Sequence, residues 1–528
     1  MTYSRSKFLV RLLWLAASTA PACQNANSTP PAAPSSGHTA SASPAAPPSS
    51  TAQPSAPDPA LEKDAAVNAA VEGELRRDKQ LDQAGIHLAT TNGIVQLTGQ
   101  IDNPLSKERA ARMVQAVRGV RAVSNLLQVV PPKRSDSAIQ SDVQKALLYN
   151  AATAKLSVHV KVQNGTAILT GSVASPRERQ LCEFVADGVR GVRFTQNDLG
   201  VKRSVPRTSA NIVGDVQTRL GWDALIEHDP IAVTAKDGRI TLTGRARSAA
   251  EKARAVDDAW VDGVEAVDAS ALAVSSEGSE EHLRSGAPRS DREIASALDN
   301  EMLTDPRIAS THVVPIVKGG VVTLTGTVET LRARRAAETA AHNTVGVFSV
   351  NNQLIARRDQ SASDQTLQGR LEDALIFDPL TDARSIHLTV SGGRVTLTGS
   401  VETFFESAEA FDVASRFANI TSVDDQLAVR DQATPYVHSP WLDPFAPDVD
   451  SQYVIGIRPQ ASDTDIKHRI QADLKRSLFV GPEDLQVRVE DGKATLTGTV
   501  HTYRERQAAA DSAVGAGASA VDNELKVD

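Results

Sequence analysis

The chain has 528 residues, of which 56 are Lys or Arg and 64 are Asp or Glu, so its formal net charge is −8. An apolar fraction of 41% and a charged fraction of 23% exclude a polytopic membrane protein and a fully disordered chain. The acidic balance and the aromatic fraction of 4% argue against nucleic acid as a partner. Two cysteines, Cys23 and Cys182, are too few for a disulfide scaffold or a cysteine-based zinc finger.

Residues 1–22 have the three-part pattern of a secretory signal peptide. Arg5 and Lys7 precede the apolar run 8–17, which is too short to span a bilayer. The small residues that follow end at Cys23, where the sequence resembles the cleavage site of bacterial lipoproteins. The pattern predicts export to the periplasm. Two outcomes stay open, simple cleavage or acylation of Cys23 as an outer-membrane lipoprotein, and a cytosolic chain with a chance apolar start is less favoured.

Residues 23–60 consist mainly of Pro, Ala, Ser and Thr and contain almost no large apolar side chains. Such a segment cannot bury enough surface to offset the entropy lost on ordering. Its proline content favours an extended backbone. The segment is therefore predicted to be a tether between the exported N-terminus and the folded part of the chain.

Six internal repeats are marked by the tripeptide Leu-Thr-Gly. Its glycines are Gly99, Gly171, Gly244, Gly326, Gly399 and Gly498. Thirty-five residues before each glycine stands a predicted helix N-cap, namely Asp64, Asp136, Ser209, Asp291, Asp364 and Asp463. Apolar residues then recur at i, i+4 and i+8, as in Leu367, Leu371 and Leu375, which predicts an amphipathic helix of about three turns.

A β-hairpin is predicted after each of these helices. Its turn is an Asn-Gly, Asp-Gly or Gly-Gly pair, which tolerates the positive φ of a two-residue type I′ turn. The turn glycines are Gly93, Gly165, Gly238, Gly320, Gly393 and Gly492. In the resulting register the Leu-Thr-Gly glycines lie on the buried face, where we expect the missing side chain to let a helix approach the strand closely.

A second helix and a third strand complete each repeat. Four repeats begin this helix with a capping box, at Ser175, Ser248, Thr403 and Thr502. A Gly or Asn near its end is expected in the left-handed conformation. Each repeat is therefore predicted to be an αββαβ module of the α+β class, a three-stranded mixed sheet with both helices on one face. Its other face is predicted to be polar, as in Thr396, Thr398 and Ser400.

The hairpin and third-strand pattern resembles the BON domain, most closely in residues 237–246, 392–401 and 491–500 with their flanks. The resemblance covers six modules, numbered 1 to 6 in chain order: 61–130, 136–203, 209–275, 289–357, 363–430 and 462–528. It implies a non-enzymatic bacterial envelope protein linked to osmotic stress whose modules bind phospholipid or the membrane surface. A periplasmic scaffold or chaperone-like binder of envelope proteins is the alternative.

The joints between modules are uneven. Residues 276–288 form a short acidic linker, and residues 431–461 form a longer one rich in proline and aromatic residues. The aromatic residues of the longer linker either pack on neighbouring modules or form a partner-binding segment. Joints of such different length predict beads on a string rather than a rigid solenoid.

The residues carry no pattern that predicts catalysis, a cofactor or a metal site. His87, His159 and His387 share one position in three modules, but a single histidine per module on the outer side of a strand makes no site. Gly515-x-Gly517-x-x-Ala520 ends a helix, whereas a dinucleotide fingerprint opens one. Cys182 is expected to be a small buried residue rather than a nucleophile.

Charge is shared unequally among the modules. Residues 133–203 hold 11 Lys or Arg against 6 Asp or Glu, a balance of +5. Module 2 is therefore the electrostatic candidate for anionic lipid headgroups. The candidate residues are Arg177, Arg179, Arg190 and Arg193. A merely solvated basic face is the alternative interpretation.

Overall fold

The computed structural model describes residues 59–202, 207–226, 231–275, 289–308, 312–359, 363–431, 461–476, 485–500 and 502–527. These residues belong to one compact unit that runs from Pro57 to Asp528. Within it the order helix, two strands, helix, strand recurs six times, which confirms the predicted α+β class and the αββαβ modules. Cys23, residues 1–58 and the linker residues 276–288 and 432–460 lie outside the described residues.

Two helices form one layer of each module. The first helices are α1 (Pro59–Arg76), α4 (Asp136–Tyr149), α6 (Ser209–Trp222), α8 (Asp291–Thr304), α10 (Asp364–Phe377) and α12 (Asp463–Arg476). The second helices are α3 (Pro104–Gln115), α5 (Pro176–Asp187), α7 (Ala249–Asp258), α9 (Leu331–His342), α11 (Phe404–Ser415) and α13 (Tyr503–Gly515). Module 1 has an additional short helix, α2 (Lys79–Gln83).

The hairpin strands are antiparallel. The first strands are β1 (His87–Thr91), β6 (Ser157–Gln163), β9 (Ile231–Lys236), β13 (His312–Lys318), β17 (Ile386–Ser391) and β21 (Leu485–Glu490). The second strands are β2 (Ile94–Thr98) with β3 (Gln100–Ile101), β7 (Thr166–Val173), β10 (Arg239–Ala246), β14 (Val321–Val328), β18 (Arg394–Val401) and β22 (Lys493–Val500).

The third strand runs parallel to the second, as a crossover through a helix requires. It is continuous in module 2 and divided into two pieces in the other five modules. Its segments are β4 (Ala122–Asn125), β5 (Gln128–Val129), β8 (Phe194–Val201), β11 (Ala266–Asp268), β12 (Leu272–Val274), β15 (Ser349–Asn352), β16 (Ile355–Ala356), β19 (Ser422–Asp425), β20 (Ala428–Val429), β23 (Ala520–Asn523) and β24 (Lys526–Val527).

The predicted N-caps of the first helices are one residue out of place in modules 2 to 5, and in module 1 Asp64 lies inside α1. In modules 2 to 5 the cap is the preceding hydroxyl residue, for example Ser363, whose side chain accepts from the Thr366 backbone N–H. Asp364 instead ties the helix to the hairpin turn, because its carboxylate accepts from the backbone N–H groups of Gly392 and Gly393 at 2.8 and 3.2 Å. These backbone hydrogen bonds, chiefly that from Gly392, lower the pKa of Asp364.

The same tie recurs in modules 1, 2, 4 and 6. The carboxylates that accept from both turn residues there belong to Asp64, Asp136, Asp291 and Asp463. Module 3 has Ser209 at the equivalent position. The repeated Asp therefore specifies the junction between helix and hairpin rather than the helix cap.

The turn dipeptides have the predicted positive φ at both positions, as in Asn164 (51°) and Gly165 (72°). The explanation predicted for the Leu-Thr-Gly glycines is wrong. They are not buried beneath a helix, and they also have positive φ: Gly99, Gly171, Gly244, Gly326, Gly399 and Gly498. A Cβ on Gly399 would lie 2.1 Å from the backbone oxygen of Ser385, the residue just before the paired strand β17. The glycine therefore prevents a clash with the neighbouring strand.

The second helices begin with the four predicted caps. Ser175, Ser248, Thr403 and Thr502 each accept from the backbone N–H three residues later. In three of them the glutamate at that position reaches the residue before the cap, as Glu406 does by accepting from the Glu402 N–H at 2.8 Å. The first helix of module 4 has a complete capping box, between Ser290 and Glu293.

The Asn-x-Leu pattern of the third strand fastens that strand to the second helix. In module 4 the Asn352 side chain donates to the Arg334 carbonyl at 3.1 Å and accepts from the Leu354 N–H at 3.2 Å. Asn125, Asn197 and Asn523 make the same two bonds in their modules. The amide thus links the third strand to the second helix in each of these modules, and in module 4 it also satisfies the Leu354 N–H at the break between β15 and β16.

The modules pack against one another through their helices, so the expectation of beads on a string is wrong. Modules 2 and 5 share one continuous hydrophobic cluster, in which the Tyr149 and Phe417 rings lie 5.8 Å apart. Ala249 of module 3 is buried in the core of module 1. Trp222 of module 3 packs on module 4, and the Val345 N–H of module 4 donates to the Trp222 carbonyl at 3.0 Å.

Candidate functional site

Two kinds of surface in the modules can carry function, the helix side and the outer side of the sheet. Residues alternate between buried and exposed along the hairpin strands, as in β6, where Val160 and Val162 are buried and His159 and Lys161 are exposed. We call the exposed side the outer face of a module. The helix side is covered by neighbouring modules in several places, which leaves the outer faces as surfaces for other molecules.

Of the four candidate arginines in module 2, Arg193 is exposed, at the hairpin end of the sheet. Arg190 is engaged with module 5, where its guanidinium donates to the carbonyls of Asp378 and Thr381 at 2.7 and 2.8 Å. Its backbone N–H also donates to the Phe377 carbonyl at 2.6 Å. The structure thus places Arg190 in a contact between modules.

The other two candidates also contact neighbouring modules. Arg177 lies 3.0 Å from Glu301 of module 4, and the Arg179 guanidinium lies 5.4 Å from the ring centre of Trp260 in module 3. The structure does not bring the four arginines together on one surface. Arg193 instead lies next to Phe194, which begins β8 on the outer face and is 60% exposed.

The outer face of module 2 combines basic and apolar side chains. Ile168 lies on the central strand β7 and pairs with Lys161 of β6. Phe194 of β8 pairs with Thr166, one row further along the same face, so Ile168 separates Lys161 from Phe194. Lys161 is exposed, and Arg193 adjoins this group at the turn. We call Lys161, Ile168, Arg193 and Phe194 the basic face of module 2.

A buried ionic cluster joins modules 4 and 5, and sequence reasoning missed it. Asp412 on α11 is 1% exposed, and its carboxylate lies 2.7 Å from Arg416, 3.0 Å from Arg335 and 3.3 Å from Arg332. Burial alone would raise the pKa of Asp412, but these three guanidinium groups outweigh it and hold the pKa well below its usual range. Burial also lowers the pKa of Arg332 to about 10.

Two further buried carboxylates lie in the same cluster. Glu409 is fully buried and accepts from Arg416 at 2.6 Å through one carboxylate oxygen, and Asp378 lies 3.9 Å from Arg416. Burial is the main reason that the pKa values of Glu409 and Asp378 are raised. The sequence of α11 could have indicated this cluster. Apolar residues such as Phe405 occur on all sides of the helix, and such a helix is buried on more than one face.

A second buried cluster joins modules 3 and 4. Arg219 on α6 lies 2.5 Å from Glu301 on α8 and 3.2 Å from Asp258 on α7. Arg254 lies 2.5 Å from Asp223. Burial raises the pKa of Asp258, and the nearby Asp223 carboxylate raises it further. Both clusters pair guanidinium groups with carboxylates and connect helices of different modules, so they organise the architecture.

The side chains considered for chemistry have structural surroundings. Burial raises the pKa of the Cys182 thiol to about 12, which keeps it protonated and unreactive as a nucleophile. His87, His159 and His387 are exposed on the outer faces of three different modules. Among the described residues no group of three or more His, Cys, Asp and Glu side chains is arranged to bind a metal ion.

The outer face of module 4 is not polar, contrary to prediction. Four large aliphatic side chains are 42% to 67% exposed there: Val314, Ile316, Val321 and Ile355. We call these four residues the apolar face. Phe348, which is 44% exposed, lies beside the adjoining hairpin turn, because a Cβ on Gly320 would lie 2.4 Å from its ring.

Sequence comparison agrees with this architecture. The BON domain profile matches residues 63–131, 135–203, 208–275, 290–358, 363–431 and 462–528, which is most of the chain. The chain belongs to the BON domain family. Its BON modules are the six αββαβ units described above, and the agreement confirms the predicted family.

Two relatives are similar to parts of this chain. Osmotically-inducible protein Y of Escherichia coli (strain K12) is 28% identical over 141 residues, which cover 25% of this chain and 70% of the relative. The 21 kDa hemolysin of Actinobacillus pleuropneumoniae is 31% identical over 124 residues, which cover 22% of this chain. The chain spans 63% of the length of the hemolysin, less than two thirds.

Structural comparison finds CdsD, a structural protein of the type III secretion system of Chlamydia trachomatis. One CdsD structure is 16% identical, covers 38% of this chain and 88% of CdsD, and has a TM-score of 0.11. The structure of its C-terminal domain is 15% identical, covers 39% of this chain and 96% of that domain, and has a TM-score of 0.12. At these TM-scores the likeness says nothing about the fold or role of this chain. In the described part of this chain no helix has both the length and the apolar composition needed to cross a bilayer.

Proposed function

We propose that this BON protein is an exported, non-enzymatic envelope protein that binds the surface of phospholipid membranes. Membership of the BON family supports the proposal, together with a relative named for osmotic inducibility. The predicted signal peptide and tether of residues 1–60 would place the modules in the periplasm, with Cys23 as a candidate lipid anchor. The relative named for osmotic inducibility supports a role in maintaining the envelope under osmotic stress.

The basic face of module 2 is the observation that carries the proposal. Lys161 and Arg193 offer two exposed cations, and Phe194 and Ile168 offer an apolar surface between and beside them. Each basic side chain near an anionic bilayer contributes about 1 kcal/mol of attraction, and aromatic rings suit the membrane interface. The face is small, so several modules of one chain would have to act together to give lasting attachment.

Vesicle co-sedimentation tests the proposal directly. A chain that starts at Gln24 keeps every described residue and leaves the predicted leader out of the assay. We expect it to bind phosphatidylglycerol-containing vesicles at low salt, and to bind them more weakly as salt rises. The double variant Lys161→Glu/Arg193→Glu should bind at least about thirtyfold more weakly at low salt, because it removes two attractions of about 1 kcal/mol each and replaces them with repulsion.

Module 3 provides the matched control. Lys236 and Arg239 are exposed on its outer face as a cross-strand pair, and residues 207–275 hold 8 Lys or Arg against 11 Asp or Glu. The variant Lys236→Glu/Arg239→Glu should bind vesicles like the parent chain. A parent chain that fails to bind anionic vesicles at low salt would contradict the proposal. Capture of envelope proteins without lipid would then favour the scaffold or chaperone-like alternative.

A further inference from the structure

The apolar face of module 4 is a departure from the repeat. The position of Val314 holds His87, His159, Ala232, His387 and Gln486 in the other modules, and that of Ile316 holds Ala89, Lys161, Thr234, Thr389 and Arg488. The position of Val321 holds Ile94, Thr166, Arg239, Arg394 and Lys493, and that of Ile355 holds Gln128, Gly200, Ala273, Ala428 and Lys526. Across these twenty positions there is a single large aliphatic residue, Ile94.

The four aliphatic residues form a continuous surface on one side of the sheet. Val314 and Ile316 are two residues apart on β13 and pair with Thr325 and Thr323 of β14. Val321 lies one row from Ile316 on the other strand of the hairpin. Thr327, next to the Val314 row, pairs with Ile355 of β16. Aliphatic and threonine side chains thus cover the hairpin part of this face, and the third strand adds Ser349 and the exposed Asn351.

The β13 edge of the sheet is a poor template for strand addition. Pro315 occupies β13, which is the edge strand of module 4, and a proline has no backbone N–H to donate to an added strand. A partner that pairs its backbone with β13 would therefore lose one hydrogen bond at this position. At the β13 side of the module, the face of the sheet is therefore a better contact surface than the edge.

The charges around the apolar face favour an anionic occupant. The four strands β13 to β16 contain no Asp or Glu. Lys318 pairs with Val321 across the hairpin, and Arg357 follows Ile355 by two residues on the same side, and both are exposed. The equivalent strands of modules 2, 3, 5 and 6 each contain at least one carboxylate.

The size of the face argues against a stable dimer. Three strands about 4.8 Å apart and seven residues long present roughly 330 Å². A stable protein interface needs about 800 Å² from each partner. A bilayer sets no such minimum for one contact, since further modules of the same chain can bind the same surface.

We infer that the apolar face of module 4, with Lys318 and Arg357 at its margin, docks onto the surface of an anionic phospholipid bilayer. The inference rests on the proposed function and assigns a second contact surface to it. The aliphatic side chains enter the interfacial layer of the bilayer, and the two cations contact lipid phosphates. This contact depends less on salt than the basic face of module 2 does, because apolar burial is not screened.

The test is a double variant that replaces two residues of module 4 with those found at the equivalent positions of other modules. Val314→Gln introduces the residue type of Gln486 in module 6, and Ile316→Thr that of Thr389 in module 5. In the chain that starts at Gln24, we expect this variant to bind phosphatidylglycerol-containing vesicles about tenfold more weakly at high salt, with an unchanged thermal midpoint. The control variant His387→Gln/Thr389→Ser changes the same two positions of module 5 and should bind like the parent chain.

The outcomes separate this inference from the proposed function. If the parent chain binds vesicles and the module 4 variant binds equally well, the inference is overturned and the proposed function remains. If the parent chain does not bind vesicles at any salt concentration, the proposed function is contradicted, and the inference that rests on it is overturned as well. Static light scattering without lipid gives the third outcome: a parent chain that dimerises and a variant that stays monomeric would overturn the inference in favour of a second copy of this chain.

Discussion

The helix side of module 5 and the outer face of module 4 distribute polarity in opposite ways. On α11 the charged residues Glu409 and Asp412 are buried against arginines of modules 4 and 5. On the outer face of module 4, Val314 and Ile316 are exposed. The buried charges join modules, whereas in the described part of the chain no module covers the exposed aliphatic residues. Departures from the common repeat therefore mark either contacts between modules or contacts with other molecules.

The largest effect is expected at the buried cluster. Asp412→Ala leaves Arg332, Arg335 and Arg416 without their shared carboxylate, and breaking a buried ion pair from one side costs about 3–5 kcal/mol. Urea unfolding should show this loss. Asp424→Ala removes an exposed carboxylate of the same module and should stay within about 0.5 kcal/mol of the parent chain. Equal losses from both variants would mean that the cluster does not support the assembly.

A smaller effect is expected at the Leu-Thr-Gly glycine. Gly399 has a φ of 113°, and a Cβ there would lie 2.1 Å from the Ser385 oxygen, so Gly399→Ala should cost at least about 1–3 kcal/mol. Gly369 on α10 has open space around it, and Gly369→Ala should stabilise the chain by about 0.5–1 kcal/mol. Thermal unfolding of both variants and the parent chain measures these two changes in stability. A Gly399→Ala chain as stable as the parent would disprove the proposed clash.

The smallest effect concerns pH. Burial raises the folded-state pKa of Glu409, so the folded chain binds this proton more tightly than the unfolded chain does. The contribution of Glu409 to the free energy of unfolding should therefore increase as pH falls through its folded-state pKa, and level off below the unfolded value of about 4.3. Parent and Glu409→Gln chains are compared by urea unfolding over this range. A difference between them that is independent of pH would contradict the expected shift.

Much of the module could be predicted from local patterns. The turn pairs such as Asn164-Gly165 and the caps such as Ser175 act within a few residues, and both predictions are confirmed. The roles of Asp364 and Gly399 were predicted wrongly, because each depends on a backbone group elsewhere in the module, at Gly392 and Ser385. Spacing along the chain shows that such residues recur but does not show what they contact.

The assembly of modules could not be predicted, because its contacts join residues that are far apart in the chain. Arg190 reaches Asp378, and Arg335 reaches Asp412, and neither pair is marked by local sequence. The apolar face was visible in principle, because Val314 stands in the column that holds His87, His159 and His387. It becomes a surface only when Val321 and Ile355 are placed beside it by strand pairing.

A fluorescent label on each outer face tests the central claim most directly. In the chain that starts at Gln24 the remaining cysteine is Cys182, which is buried and has a pKa of about 12, so it will not take a thiol label. Ile316→Cys places a label on module 4, and Thr389→Cys places one at the equivalent position of module 5. With anionic vesicles, we predict a blue shift and quenching by nitroxide lipids for the label at position 316 and little change at position 389. Equal responses, or a response at position 389 alone, would contradict the account.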